Sequence, residues 1–256
     1  MFLRVRGKLQ PTPEALLLER EVDKVTESLQ GVQRLAQSLR RTPGHRLRIG
    51  STPALALALL PPVISEWKHR YPDINCELVS AHTRELIQNL LMRELDVALT
   101  FKLPDHPGLK AQALAHGVLV ALAPRGFWPD ASEGVPLALD ELADAPLIGL
   151  SSADPLFARL DSYLQSVEPP PRISIAVQTY SLARAMVEAG AGLAVIDPFT
   201  ALGASRASTV IRPLSPALPI TLYALTRADE APVHTLEGLL QLFAERASEQ
   251  LQRLAG

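Results

Sequence analysis

The sequence has few of the features that mark an exported, disulfide-rich or membrane protein. Of its 256 residues only Cys76 is a cysteine, which excludes an internal disulfide framework and is typical of a reducing compartment. The longest apolar stretches, such as residues 53–64, are too short and too rich in proline to span a bilayer. The N-terminus has charges but no apolar core of a signal peptide, so we expect a cytoplasmic protein.

Motifs for catalysis and cofactor binding are absent as well. The G-x-G at residues 190–192 follows a predicted helix and precedes a predicted strand, the reverse of the order in a dinucleotide fingerprint. The segment around Ser151 lacks the second glycine of a nucleophile elbow, and there is no P-loop. The six histidines stand in no metal-ligand spacing with Cys, Asp or Glu. We therefore expect no enzyme, no cofactor and no metal.

The charge of the chain is nearly balanced, and its basic character is local. A net charge of −2 does not favour nucleic-acid binding by the whole chain. Arg4, Arg6 and Lys8 alternate with apolar residues, a pattern typical of one strand with a basic face. This strand leads directly into a helix, because Thr12 suits the N-cap and Pro13 the first helical position.

Residues 13–41 are predicted to form one long helix without internal proline. Apolar residues recur along it in alternating steps of four and three, at Leu18, Val22, Val25, Leu29, Val32, Ala36 and Leu39. This strict heptad seam favours packing on the same helix of a second copy. The alternative is packing against the globular body of the same chain. Residues 41–44 then end the helix and act as a linker.

From residue 47 onward strands and helices alternate, which predicts an α/β fold with mostly parallel sheets in two lobes. The predicted strands are 47–51, 74–80, 95–101, 119–124, 147–151, 172–178, 192–198 and 218–227. The predicted helices are 53–71 with an interruption at residues 61–62, 83–93, 136–146, 155–167, 179–191 and 233–255.

Polar residues stand where these predicted strands end and the next helices begin. They are Ser51, Thr52, Thr83, Thr100, Ser151, Gln178, Thr179 and Asp197. Open α/β sheets bind ligands outside the carboxyl ends of their strands, and hydroxyls with helix N–H groups suit a carboxylate. Asp197 could pair with an ammonium or guanidinium group. The alternatives are that each hydroxyl only caps its own helix and that Asp197, before Pro198, ends a strand.

Three longer segments carry a family pattern: FLRVRGKLQPTPEAL at 2–16, RIGSTPALALALLPPVISEWKHRYPDINCEL at 48–78 and LIQNLLMRELDVALT at 86–100. Together they resemble the LysR-type transcriptional regulators, and the resemblance covers essentially the whole chain. VQTYSLARAMVEAGAGLAVIDPFTA at 177–201 is most similar to the regulators of opine, arginine and lysine-pathway metabolism.

The resemblance implies a type 2 periplasmic-binding-protein-like fold, with two α/β lobes around a cleft behind a long N-terminal linker helix. The implied domains are a remnant of the DNA-binding wing at 1–11, the dimerising helix and hinge at 12–44, lobe I at 45–122, lobe II at 123–221, and a return to lobe I at 222–256. The basic strand would then contact DNA phosphates, while its partner strand and the recognition helix would precede the first residue.

The resemblance also implies a function: effector sensing and oligomerisation, with a carboxylate or amino-acid-like metabolite held between the lobes by the eight polar residues. The partners would be the chain itself, as a dimer or tetramer, the effector, and promoter DNA only when the missing N-terminal domain is present. A solute-binding protein of the same fold acting in transport is the alternative. The missing signal peptide and the heptad helix count against that alternative.

Overall fold

The computed structural model describes residues 2–5, 8–15, 17–19, 21–22, 46–129, 132–150, 155–230 and 234–255. Its strands are β1 Phe2–Val5, β2 Lys8–Pro11, β3 Arg46–Ser51, β4 Asn75–Ser80, β5 Val97–Thr100, β6 Leu109–Val118, β7 Val120–Pro124, β8 Leu137–Ala138, β9 Pro146–Leu150, β10 Arg172–Val177, β11 Ala194–Ile196, β12 Thr209–Ser215 and β13 Pro219–Arg227. Its numbered helices are α1 Pro53–Ala58, α2 Leu60–Arg70, α3 Thr83–Leu91, α4 Pro155–Leu164, α5 Tyr180–Glu188, α6 Pro198–Leu202 and α7 His234–Ala255.

The basic N-terminal segment is a hairpin and not the single strand that the alternation predicted. β1 pairs antiparallel with β2, from Phe2 opposite Pro11 to Val5 opposite Lys8. The expectation that the partner strand lies upstream of the chain is therefore wrong, because both strands belong to it. Residues 6–7 separate the two strands in the sequence, and a two-residue connection that contains glycine is typical of a hairpin.

The helix that was predicted to follow begins where expected. Thr12 Oγ1 accepts the Ala15 backbone N–H at 3.2 Å, which is the bond that an N-cap makes. Residues 13–15, 17–19 and 21–22 are helical. Of the predicted seam, Leu18 and Val22 are described, with 46% and 52% of their surface exposed. The other seam positions lie outside the described residues, and they are Val25, Leu29, Val32, Ala36 and Leu39.

Lobe I is built on a five-stranded sheet in the order β4-β3-β5-β13-β6. β3 runs parallel to β4 and β5, whereas β13 runs antiparallel to β5 and β6. The prediction of mostly parallel sheets is thus only half right for this lobe. β13 returns from the other lobe, and a strand that re-enters a sheet from that side runs in the opposite direction.

Lobe II holds a four-stranded sheet in the order β11-β7-β12-β8 and a separate parallel pair, β9 and β10. β7 is antiparallel to both of its neighbours, and β8 is parallel to β12. A single parallel bridge between Leu147 and Leu193 links the pair to the rest of the lobe.

The chain crosses between the two sheets at two neighbouring points. β6 ends in lobe I at Val118 and β7 starts in lobe II at Val120, while β12 ends at Ser215 and β13 starts at Pro219. The expected boundaries 122/123 and 221/222 therefore fall inside β7 and β13 and are off by a few residues. Pro219 pairs with Val118, so the two crossings lie side by side.

Two short helices join the cores of the two lobes. In α1, Ala54 belongs to the apolar cluster of lobe II, and the next residue, Leu55, belongs to that of lobe I. In α6, Phe199 packs into the cluster of lobe I and Ala201 into that of lobe II. All four are almost fully buried, so both cores pack tightly on α1 and α6.

Within the two lobes, three elements lie where none was predicted, and one predicted helix is wrong. β6, β12 and α6 were missed. The helix predicted at 136–146 is instead the strand β8 followed by a 3-10 helix at Leu139–Leu142. Alternate residues are buried across this segment, at Leu137 and Leu139, because the strand adds to β12 and turns every second side chain inward. The helix is interrupted, but at Leu59 between α1 and α2 and not at residues 61–62, which lie in the first turn of α2, where proline is tolerated.

A buried arginine holds this segment onto lobe II. The Arg212 side chain is 5% exposed and makes a two-pronged ion pair with Glu141, at 2.9 and 3.1 Å. It also donates to the carbonyls of Val135 and Pro136, both at 3.0 Å, and its guanidinium lies 5.1 Å from the centre of the Trp128 ring. The hydrogen bonds that Glu141 accepts from Arg212 and from the Ala138 N–H lower the pKa of its carboxyl, the bond from Arg212 contributing most.

Candidate functional site

A cleft of about 220 Å³ lies between the lobes at the carboxyl ends of several strands. It has several times the ~30 Å³ that one water takes up in the liquid, so a small organic molecule fits. Both lobes line it, through Thr52, Pro53, Ala54, His82, Thr83, Thr100, Phe101, Lys102, Leu103, Leu150, Gln178, Thr179 and Tyr180.

Five of the eight polar residues singled out in the sequence meet at this cleft. Lobe I supplies Thr52, Thr83 and Thr100, and lobe II supplies Gln178 and Thr179. They come together because each follows a strand that points its carboxyl end at the gap between the sheets.

Two of these hydroxyls form a pair on the lobe I side. Thr83 Oγ1 and Thr100 Oγ1 lie 2.9 Å apart, and either one can be the donor. The Lys102 backbone N–H donates to Thr100 Oγ1 at 3.2 Å. Of the two hydroxyl protons, one is used in the bond between the threonines. The other is left for a ligand, whichever direction that bond takes.

Thr52 stands at the N-cap of α1 without acting as a cap. Its backbone is extended, with φ −64° and ψ 152°, but its side chain makes no capping bond. Its Oγ1 is buried and has no hydrogen-bond partner among the described residues. A buried hydroxyl without a partner is unfavourable, and a ligand in the cleft would satisfy it.

The opposite wall is formed where β10 ends and α5 begins. Thr179 caps α5, and its Oγ1 accepts the Leu182 N–H at 3.2 Å. That bond uses the oxygen as an acceptor and leaves the hydroxyl proton free to be donated. Gln178 precedes it, is exposed, and offers an amide that can donate and accept. Thr179 therefore caps its own helix, as the alternative had it. Its hydroxyl can still donate a hydrogen bond to a ligand.

Three predicted site residues do not contribute to the described lining. Ser51 is fully buried and faces another cavity, of about 340 Å³, between α1, α2 and β4. Adjacent residues of an extended segment point to opposite sides, so Thr52 can reach the cleft and Ser51 cannot. Asp197 is fully buried as the N-cap of α6 and does not line the cleft. Ser151 lies outside the described residues.

Asp197 has an unusual environment for a carboxyl group. Its Oδ1 accepts the Thr200 N–H at 2.9 Å, whereas its Oδ2 has no partner among the described residues. Burial raises the pKa of Asp197 from 3.8 to about 6, and hydrogen bonds from backbone N–H groups, that of Thr200 among them, only partly oppose that rise. Asp197 could pair with a cationic group of a ligand or mark the end of a strand. The structure favours the second role, with Asp197 capping the helix that follows.

Two basic residues of the lining were missed by the sequence analysis. Lys102 follows Thr100 by two positions, and His82 precedes Thr83, where it is the N-cap of α3. Both are exposed side chains in the loops that also supply the hydroxyls. The search for hydroxyls at the carboxyl ends of strands led to these same loops. It would have found both residues if it had included basic side chains.

The remaining predictions concern DNA, metals and membranes. Arg4 and Lys8 lie in the paired strands β1 and β2, and Arg6 lies outside the described residues. Within the described part of the chain, no group of three or more His, Cys, Asp or Glu side chains could hold a metal ion. No described helix is both long and apolar enough to cross a membrane.

The family model of the LysR substrate binding domain matches residues 40–248. The HTH-type transcriptional regulator DgcR of Pseudoalteromonas sp is 32% identical over 240 residues, which are 94% of this chain and 82% of that protein. The transcriptional activator protein LysR of Escherichia coli (strain K12) is 30% identical over 244 residues, 94% of this chain and 78% of that protein. The octopine catabolism/uptake operon regulatory protein OccR of Rhizobium meliloti is 24% identical over 91% of this chain and 76% of that protein.

Solved structures share the two-lobed fold. An OxyR mutant of Corynebacterium glutamicum superposes with a TM-score of 0.70 at 18% identity, over 98% of this chain and 79% of that one. The CcmR regulatory domain of Synechocystis PCC6803 in complex with 2-PG superposes with a TM-score of 0.66 at 18% identity, over 78% of this chain and 96% of that one.

The fold expected from the resemblance is thus confirmed, as is the likeness to opine regulators such as OccR. The relatives are transcriptional regulators and not enzymes, and they give no support to the alternative of a transport protein. This chain belongs to the LysR-type transcriptional regulators and carries their effector-binding domain.

Proposed function

We propose that this chain is the effector-sensing and oligomerising part of a cytoplasmic LysR-type regulator without enzymatic activity. Its effector is a small carboxylate-bearing metabolite, amino-acid derivatives included, which binds in the cleft between the lobes. The observation that carries the proposal is the buried Thr52 hydroxyl without a partner, beside the pair of Thr83 and Thr100.

The donors around the cleft suit a carboxylate. Thr52 has a hydroxyl proton without an acceptor, the threonine pair has one proton to spare, and Thr179 has another across the gap. A carboxylate accepts several such bonds at once, and bonds to a charged acceptor are stronger than neutral ones. The CcmR regulatory domain, which shares this fold, was solved in complex with 2-PG, and this supports ligand binding by this architecture.

Binding in the cleft gives a route to regulation. A ligand that contacts Thr52 on one lobe and Thr179 on the other is held better when the lobes are close together, so it favours the closed state. Closure has to move α1 and α6, which join the two cores. We propose that this movement changes how the subunits are arranged and so how DNA-binding regions are spaced.

The proposed partners are a second copy of the chain and promoter DNA. The exposed Leu18 and Val22 begin the heptad seam, which favours a helix pair between two copies. The hairpin of β1 and β2 carries Arg4 and Lys8, which suit phosphate contacts and no reading of base edges. A dimer through the seam, extended to a tetramer by the regulatory lobes, is the assembly we propose.

The experiment is calorimetry of carboxylates, amino acids and opines on the full chain and on Thr52→Val. The substitution keeps the shape of the side chain and removes the hydroxyl, so it should weaken a hit by roughly 10- to 150-fold, which corresponds to about 1.5–3 kcal/mol. Thr226→Val on β13 makes the same chemical change outside the described cleft lining and should leave the affinity within about twofold. If Thr52→Val binds every hit as tightly as the wild type, the cleft is not the effector site.

A further inference from the structure

The side chains of the described cleft lining that can carry a charge near neutral pH are both basic. They are Lys102, in the loop after β5, and His82, in the loop before α3. The described lining contains no aspartate or glutamate. A ligand with net positive charge would find an ammonium group in its path and no carboxylate as a partner.

Lys102 is fixed beside the hydroxyls by its own backbone. Its N–H donates to Thr100 Oγ1 at 3.2 Å, and Thr100 is fully buried and bonded to Thr83. His82 directly precedes Thr83, so both basic side chains start next to the hydroxyl pair. Neither side chain forms an ion pair or a side-chain hydrogen bond within the described part of the chain. Among the described residues, nothing competes with a ligand for the Lys102 ammonium or for the His82 ring nitrogens.

The two kinds of donor lie at different depths. Thr52 and Thr100 are shielded from solvent in the cleft, whereas Lys102 and His82 are exposed at its rim. One carboxylate can use the inner hydroxyls, which supply directional bonds without charge. The ammonium of Lys102 and a ring N–H of His82 then suit a second acidic group that stays closer to water.

We propose that the effector carries two acidic groups, one on Thr52 and the pair of Thr83 and Thr100, the other on Lys102 and His82. This inference rests on the proposed function, because it divides the same cleft into an inner and an outer half. Lys102 is then the residue that selects the ligand by charge. An amino-acid derivative belongs to the class if it has a second carboxylate.

The test compares ligands of equal length that differ at one end. Calorimetry on the full chain uses the straight-chain dicarboxylates from malonate to adipate, and for each the monocarboxylate and the ω-amino acid of the same carbon number. At least one dicarboxylate should bind at least tenfold more tightly than both of its counterparts. Lys102→Met should weaken that dicarboxylate roughly tenfold and the monocarboxylate less than twofold, since an exposed charge-assisted bond falls at the lower end of its range. Lys102→Arg keeps the positive charge and should retain most of the affinity for the dicarboxylate.

Two controls separate the possible failures. Lys110→Met removes an exposed lysine of β6 outside the described lining and should change nothing. Asp154→Asn removes the carboxylate of a residue that follows Leu150 by four positions and lies outside the described residues, and it should leave the preference for the dicarboxylate in place. If no dicarboxylate exceeds its counterparts, or if Lys102→Met weakens all three ligand types equally, the two-acid proposal is overturned. If Thr52→Val still weakens binding by roughly 10- to 150-fold in that case, the proposed function stands.

Discussion

The burial of Asp197 predicts how the free energy of unfolding changes with pH. The carboxyl group is fully buried at the start of α6, and burial holds its pKa at about 6 in place of 3.8. The native state therefore keeps this proton to higher pH than the unfolded chain does. Stability from this group is fully present below pH 3.8 and is lost as the pH rises through about 6. Above that pH the ionised carboxylate destabilises the fold by about 3 kcal/mol, at ~1.4 kcal/mol per pH unit.

Asp197→Asn should therefore stabilise the protein at neutral pH. Asparagine caps a helix about as well as aspartate, and its carbonyl oxygen can accept the Thr200 N–H in the same way. Its NH2 group takes the place of Oδ2, near the Thr200 hydroxyl, which is also buried without a partner. We expect a gain of about 1–3 kcal/mol at pH 7.5, the lower figure applying if the amide finds no acceptor.

Urea denaturation of both proteins between pH 4 and pH 7.5 measures the effect. The difference in the free energy of unfolding should be small at pH 4, should grow up to about pH 6 and should level off above it. Asp73→Asn, at an exposed position, is the matched control, and its difference from the wild type should not follow this course. A difference for Asp197→Asn that stays constant over the whole range would show that the carboxyl is not held protonated by burial.

Two further predictions concern the lobe II anchor and the seam. Arg212→Met should lower the free energy of unfolding by about 2–4 kcal/mol, because the carbonyls of Val135 and Pro136 and the carboxylate of Glu141 lose their donor. A urea midpoint equal to that of the wild type would contradict this prediction. Since the pKa of Glu141 is lowered in the fold, its share of stability should be present above the ordinary pKa of glutamate and fade as the pH falls through the lowered value. Leu29→Glu, in the middle of the predicted seam, should reduce the molar mass in light scattering, whereas Gln33→Glu, off the seam, should not; equal masses for both variants would remove the seam from the assembly.

The sequence predicted most of the secondary structure because most elements have a clear period. The missed elements are those in which the period is hidden. β6 is exposed along much of its length and poor in β-branched residues, so its alternation is weak. β12 buries Arg212 and contains Pro213, two residues that usually indicate a loop. The ion pair with Glu141 and the hydrogen bonds to the carbonyls of Val135 and Pro136, all far away in the sequence, make that burial possible.

The sequence predicted the location of the candidate site more accurately than the side chains that line it. The ends of the strands were found because the α/β topology brings them to one edge, whatever the details of packing. The choice between Ser51 and Thr52 depended on which side of the strand faces the gap, and that is decided by tertiary packing. The role of Asp197 was left open because α6, a helix of five residues, was too short to show a period.

Thr52 connects effector binding in the cleft to the relative position of the two lobes. Its hydroxyl lies in the cleft, and two positions later α1 places Ala54 in the core of lobe II and Leu55 in the core of lobe I. A ligand that bonds to Thr52 therefore acts on the helix that both cores hold. Packed cores resist gradual deformation, so a shift of α1 should be passed to both lobes and not absorbed within one. A hydroxyl at this position can thus couple the occupancy of the cleft to the relative position of the lobes, which a contact farther along either wall could not do alone.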